Sequence, residues 1–285
     1  MLDTAPVFFV SSGRSGTQML EKVFSVRSEI EIHHEFMCTY VQPLAARWYM
    51  GRIGRTEAVA ALRAVYEPAV YYSLNPIWAD SSNKLSWVIE LLEEIFPTAR
   101  YVYTVRDGRK VASSFFHKLG NECYDDRSVA ILRGHLEDPE RNPCPPPEKK
   151  YWWNVPLAPS PWAQDFAQYE QFERICFHWG EVNRVILRQL VNVPESRRFF
   201  CRLEDLVTDE ENIKSLCRFL GLSYAPEIFR ALGRPQNVNR PEDRLLTPAQ
   251  LSQLFRIAGD MMTHFGYDQR EEYQMAYGQP DSPCG

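Results

Sequence analysis

The sequence has no two cysteines in a CxxC spacing: its seven cysteines, at 38, 123, 144, 176, 201, 217 and 284, are scattered and odd in number. That argues against a zinc site or a disulfide framework and suits reduced thiols. Nor is there an excess of positive charge. With 32 Lys and Arg against 37 Asp and Glu, the formal net charge is −5, unlike the basic domains that bind nucleic acid. Any anion site is therefore a local basic pocket in an acidic chain. Long apolar runs are also missing. The first apolar stretch ends at Val10, too short for a signal or an anchor, so the expectation is a chain that avoids membranes and works in the cytoplasm. What remains is ordinary for a globular protein, with 45% hydrophobic and 24% charged residues. A single α/β domain over residues 1–285 is expected, long enough to bury a sound core.

Short apolar runs alternate with amphipathic ones. Residues 7–10, 77–80, 100–105 and 197–201 read as strands, with a short one at 30–32. Helical spacing covers 16–26, with Leu20, Val23 and Phe24 inward, then 40–50, 56–66 and 87–95; another helix opens near Gly108. One long helix is expected over 164–190. Thr208 and Glu211 form a capping-box pair for a helix that Gly221 closes. Thr247, Pro248 and Gln250 open a last helix with Leu251, Leu254, Phe255, Ala258 and Met262 facing inward. Such alternation predicts a parallel sheet with helices on both faces. Eight of the 20 prolines fall between 139 and 161. Aromatic residues follow them at once, so about 120–165 is expected to be an ordered insert or lid, not a linker.

Two segments carry candidate chemistry. In "VFFVSSGRSGTQML", residues 7–20, a strand runs through a loop of small residues into a helix. Backbone N–H groups at such a junction form an anion site, which Arg14, Ser15 and Thr17 would complete. The loop lacks the lysine and the spaced second glycine of GxxxxGK, which weakens an ATP reading. In "YVYTVRDGRKVASSFFHK", residues 101–118, Arg106 ends a strand, Ser114 lies eight residues on, and Lys118 one helical turn beyond. These three donors converge above the C-terminal edge of a strand, where open α/β sheets bind ligands.

In this order and spacing the two segments resemble the nucleotide-binding elements of the PAPS-dependent sulfotransferases. Arg14 makes the loop more similar to the tyrosylprotein branch and to bacterial small-molecule members than to the cytosolic members with lysine there. The likeness runs through "NK" at 83–84 and "RLEDL" at 202–206 to "FGYD" at 265–268, leaving 120–165 unmatched. It implies a P-loop-kinase-like sulfotransferase fold and 3′-phosphoadenosine 5′-phosphosulfate (PAPS) as donor, with PAP as product and no metal. It also implies a small-molecule acceptor with a hydroxyl or amine. Arg14, Ser15, Gly16, Thr17 and Gln18 would cradle the phosphosulfate; Arg106, Ser114 and Lys118 would read the 3′-phosphate. Arg202 matches a family position near the nucleotide, with Leu203 where an aromatic residue is usual. Asn239, Arg240 and Arg244 are candidates to close over the phosphates, Arg240 first among them.

The acceptor side centres on "EIHHEF" at 31–36. Adjacent His33 and His34 on a strand point apart and make a poor metal chelate. Glu35 follows Arg14 by 21 residues, an interval that in the tyrosylprotein branch marks the catalytic glutamate. The resemblance thus implies Glu35 as general base, with His34 in reserve. To work near neutrality, Glu35 would need burial to raise its pKa from about 4.3. Lys84 would neutralise the leaving oxygen, although Leu85 and Ser86 replace the family's "DP". Trp152 and Trp153, in a proline-flanked loop, are expected to contact a planar or cationic acceptor. Two rival readings are a P-loop-type nucleotide kinase, which would need magnesium, and a non-catalytic nucleotide-binding protein.

Overall fold

The computed structural model describes residues 4–232 and 245–273. From the N-terminus the elements are β1 (Ala5–Val10), α1 (Thr17–Phe24), β2 (Ile30–His34), α2 (Cys38–Tyr49), α3 (Arg55–Tyr71), β3 (Ile77–Ser81), α4 (Ile89–Ile95), β4 (Arg100–Val105) and α5 (Gly108–Lys118). There follow α6 (Asp126–Glu137), α7 (Ala163–Gln168), α8 (Gln171–Leu190), β5 (Arg198–Arg202), α9 (Leu203–Thr208), α10 (Glu210–Leu220), α11 (Pro226–Leu232) and α12 (Pro248–His264). The five strands form one parallel sheet in the order β2-β3-β1-β4-β5.

Alternation along each strand divides the core in two. Phe8 and Val10 of β1 join Trp78, Tyr101 and Tyr103 on the face covered by α2–α5, α8 and α12. Val7 and Phe9 join Ala79, Val102 and Cys201 on the face covered by α1, α10 and α11. Both faces are thus buried, as a parallel sheet requires. Among the described residues, no helix is long and apolar enough to cross a membrane.

The expected long helix over 164–190 is broken. Its apolar spacing is continuous, but Tyr169 and Glu170 are extended, and Glu170 starts α8 with a capping box to Glu173. The cap of α10 also differs. Asp209 accepts from the Glu211 N–H at 3.0 Å, while the Thr208 hydroxyl turns back to the Glu204 carbonyl at 2.7 Å. In α12, Leu254, Ala258 and Met262 are buried with Ile257, but Leu251 is half-buried and Phe255 is exposed. The inward stripe therefore follows 254, 257, 258 and 262, the spacing of one helix face.

The proline-rich insert is stitched into the core. Trp152 and Trp153 are 2% and 6% exposed. Their ring nitrogens donate to the carbonyls of Pro146, at 2.8 Å, and Glu122, at 3.0 Å. Both indoles belong to the core, and Trp152 packs under Arg47 at 6.0 Å. Proline fixes the path of the chain, and the indoles fill the space beneath it.

Gly108 starts α5 against α8 and α12. A Cβ there would stand 2.9 Å from Met262 Sδ and 3.0 Å from the Trp179 ring. Gly108→Ala is expected to cost about 1–3 kcal/mol through overpacking, read as a lower denaturant midpoint with unchanged slope.

Candidate active site

Strands β1 and β4 are neighbours, yet the chain leaves β1 into α1 on one face and β4 into α5 on the other. Their carboxyl ends therefore splay into a crevice, the place where open α/β sheets take ligands. The loop after β1 is shaped by its own hydroxyls. Ser11 Oγ accepts from the Gly13 N–H at 3.1 Å, and Ser15 Oγ donates to the Gly13 carbonyl at 3.0 Å. From the far side, Ser86 Oγ accepts from Ser11 N–H at 3.0 Å and donates to its carbonyl at 2.8 Å. Gly16 has φ 90°, and a Cβ there would lie 2.7 Å from Leu203 Cδ1, so only glycine fits. Among the described residues, no side chain caps α1 at Gly16, and a helix start of this kind is where anions bind.

Three side chains meet above this loop. Arg14 Nε donates to Ser114 Oγ at 2.9 Å, and Arg106 Nη1 donates to the Arg14 carbonyl at 2.9 Å. Burial lowers the Arg14 pKa, and the neighbouring Arg106 charge lowers it further. Two guanidinium groups thus share one partly buried place. Arg14, expected near the 5′ end of the donor, rests on Ser114, which was assigned to the 3′ end. Ser15 is buried with its hydroxyl inside the loop, Thr17 is half-buried and Gln18 is exposed.

Across β3 lies a second charged group. Glu35 follows β2 and is backbone-strained: with Arg14 it has positive φ, 55° and 54°. For non-glycine residues this conformation is uncommon and collects at functional sites. Asp80, fully buried on β3, holds the turn by accepting from the Phe36 N–H at 3.1 Å and from the Tyr66 hydroxyl at 2.9 Å. Burial pushes the Asp80 carboxyl up to about 7. Glu35 Oε1 lies 3.9 Å from Lys84 Nζ, and its Oε2 is bonded to Lys149 Nζ of the insert. Burial acts to raise the Glu35 pKa, but Lys84 and then Lys149 outweigh it and hold it at about 2. The upward shift that a base working near neutrality needs is therefore not present: two lysines stabilise the carboxylate more than burial destabilises it. Lys84 is itself 7% exposed, and burial lowers its pKa against the pull of Glu35. His34 Nδ1 donates to the Ser81 carbonyl at 2.9 Å, so in the neutral ring Nε2 is the basic nitrogen.

Lys118 is half-buried on α5. Arg202 gives its guanidinium to the Phe265 carbonyl, at 2.8 Å and 3.0 Å, and to Asp205 at 3.3 Å, tying β5 to the turn after α12. Arg240 lies outside the described residues, as do Asn239 and Arg244. Among the described residues, no group of three or more His, Cys, Asp or Glu could hold a metal ion.

Three participants were missed. Lys149 reaches Glu35 from 114 residues away, with no local pattern to mark it. Asn83 packs on the loop, its Nδ2 2.9 Å from where a Gly13 Cβ would be. His178, on the inner face of α8, donates from Nε2 to the Ser12 carbonyl at 3.0 Å and accepts at Nδ1 from the Tyr124 hydroxyl at 3.1 Å. Its position among apolar neighbours was the available signal.

Burial pulls the His178 pKa down to about 4. An unfolded chain with an ordinary His would then bind the proton first. The His178 contribution is complete above about pH 6.5 and is lost as pH falls toward 4, up to ~3 kcal/mol. His178→Gln is expected to flatten stability against pH in that window, measured by urea unfolding. Glu35 acts lower, since its depressed pKa stabilises the fold above about pH 4.5 and the gain is lost toward pH 2. Lys149→Ala is expected to raise the Glu35 pKa, read from its carboxyl 13C shift during a pH titration.

Residues 6–138 match the family model described as "Sulfotransferase family". No curated protein matches the chain in sequence. Among solved structures, a sulfotransferase from Alicyclobacillus acidocaldarius is 14% identical, over 95% of this chain and 98% of its own, with a TM-score of 0.53. Sulfotransferase STF9 from Mycobacterium avium is 13% identical, over 92% of this chain and 77% of its own, with a TM-score of 0.51. These two likenesses concern the fold, and the matched segment runs from β1 through the loop after it, Glu35, Lys84 and the Arg106–Ser114 pair to the end of α6. Residues 6–138 are thus similar to the sulfotransferase family, and the whole chain shares the fold of these two sulfotransferases.

Proposed function

We propose that the protein transfers a sulfuryl group from PAPS to a hydroxyl or amine of a small molecule. The observation that carries this reading is the meeting of Arg14, Arg106 and Ser114 at the β1–β4 switch point, beside an uncapped helix start. Like charges held together repel, and a phosphate group between them would turn that repulsion into attraction. A donor with a terminal phosphosulfate and a separate 3′-phosphate suits such a doubled basic site. The backbone N–H groups of residues 14–18 would hold the phosphosulfate. Arg106 and Ser114, with Lys118 farther along α5, would take the 3′-phosphate once Arg14 turns toward the sulfate end. Loop arginine and N–H groups then supply the charge stabilisation that magnesium supplies in kinases.

The reaction follows from the other half of the site. The acceptor oxygen attacks sulfur and forms a new S–O bond. The bond from sulfur to the bridging phosphate oxygen breaks, and that oxygen keeps the electron pair in PAP. Glu35 takes the acceptor proton, with Lys84 and Arg14 facing the leaving oxygen. A carboxylate titrating at about 2 is a weak base, so an acceptor that displaces Lys149 would strengthen it. Glu35 is 14% exposed and turned toward Lys84, an orientation that supports catalysis over simple nucleotide binding.

The test is sulfuryl transfer from labelled PAPS to a set of phenols, alcohols and amines without added metal. Glu35→Gln is expected to lower kcat about 10²- to 10⁴-fold while PAP still binds. Full turnover by Glu35→Gln would move the base to His34. Turnover only with magnesium and ATP would replace the reading with a kinase.

A further inference from the structure

The segments "RLEDL" at 202–206 and "FGYD" at 265–268 supply no group to the transfer itself. Both nevertheless reach the β1–β4 crevice. The β4–β5 ladder ends where Val105 pairs with Arg202. Beyond that pair the chains part, β4 into the loop of Arg106 and β5 into α9. Two adjacent residues at the start of α9 then touch both loops of the crevice. Leu203 packs on the first, its Cδ1 2.7 Å from where a Gly16 Cβ would be. Glu204 reaches the second, its Oε1 accepting from the Asp107 N–H at 3.0 Å.

The Asp107 N–H belongs to the peptide group that leaves Arg106. The carbonyl of that same group accepts from Trp179 Nε1 of α8 at 3.1 Å. One rigid plane is thus held at both of its polar atoms, which fixes how the chain leaves Arg106. The second Glu204 oxygen is engaged as well: Oε2 accepts from the Tyr267 hydroxyl at 2.8 Å. Tyr267 is buried, and its carbonyl accepts from Arg109 Nη2 at 3.2 Å. Arg109 is in turn paired with Asp107 at 2.6 Å, so the circuit closes on the residue where it began. Helix α5 does not need Glu204 for its start, since the Asp107 side chain already accepts from the Arg109 N–H at 2.9 Å. What Glu204 adds is a hold on the peptide before the helix. That hold opposes the repulsion between Arg106 and Arg14, which acts to turn the Arg106 loop outward.

Resting on the sulfotransferase reading, we propose that Glu204 is a positioning residue for 3′-phosphate recognition: held by Tyr267, it fixes the Arg106 backbone so that the guanidinium meets the phosphate already aimed. Affinity gained this way comes from ordering done in advance. Glu204 reads no phosphate itself and acts only through Arg106. An oxygen at this place is what the role requires, because without it the buried Asp107 N–H loses its acceptor.

The experiment measures PAP affinity by calorimetry for the full chain, for Glu204→Leu and Glu204→Gln, and for each of these combined with Arg106→Ala. Glu204→Leu is expected to weaken PAP binding about tenfold. Glu204→Gln keeps an oxygen for the Asp107 N–H and is expected to recover most of that loss. Once Arg106 is alanine, Glu204→Leu is expected to cost little more, because a residue that acts through another is not additive with it. Tyr267→Phe takes the place of the leucine variant if that variant does not fold. A loss of the same size with and without Arg106, an equal loss in the leucine and glutamine variants, or no loss at all would overturn the proposal. Failure of the wild type to bind PAP would overturn the donor reading and this role together, whereas wild-type binding with any of those three results overturns the role alone.

Discussion

Parallel pairing of β1 with β4 forces two arginines into one crevice, and the rest of the candidate site is arranged around that constraint. Adjacent strands whose following helices depart to opposite faces must leave their loops splayed at the carboxyl edge. Arg14 stands on one loop and Arg106 on the other, joined through the Arg14 carbonyl. Glycines at 13 and 16, with φ 81° and 90°, let the first loop turn tightly enough for this contact. The same crowding explains why Arg14 is itself left-handed, a strain that the surrounding hydroxyl bonds hold in place.

A second electrostatic arrangement faces the first. Glu35 is held between Lys84, rooted behind β3, and Lys149, from the insert. Lys84 is buried and fastened to the sheet, whereas Lys149 is about half exposed. The two lysines are therefore unequal partners: screening by solvent weakens the outer one. The insert thus does two things at once, filling the core with Trp152 and Trp153 and setting the charge environment of the carboxylate. His178 links the same elements from below, joining the loop carbonyl of Ser12 to Tyr124.

Local signals were legible in the sequence. Apolar alternation located the five strands, and the glycine loop and the Arg106–Ser114 interval marked the two sides of the crevice. What stayed hidden depended on contacts between distant residues. The break at Tyr169 falls inside an unbroken apolar pattern, and only the Glu170–Glu173 capping box reveals it. The depressed pKa of Glu35 was hidden because nothing local places Lys149, 114 residues away, on the carboxylate. The inward turn of Trp152 was hidden too: proline restricts only the backbone, and the ring folds inward to reach the Pro146 carbonyl.

The central claim is that the β1–β4 crevice distinguishes a 3′-phosphorylated nucleotide from an ordinary one. The most direct measurement is calorimetric titration of the wild type and Arg106→Ala with PAP and with ADP, in the presence of a metal chelator. PAP is predicted to bind the wild type far more tightly than ADP, and Arg106→Ala to lose about 2–5 kcal/mol of PAP binding with ADP little affected. Equal affinity for the two nucleotides, or PAP binding untouched by the substitution, would contradict it.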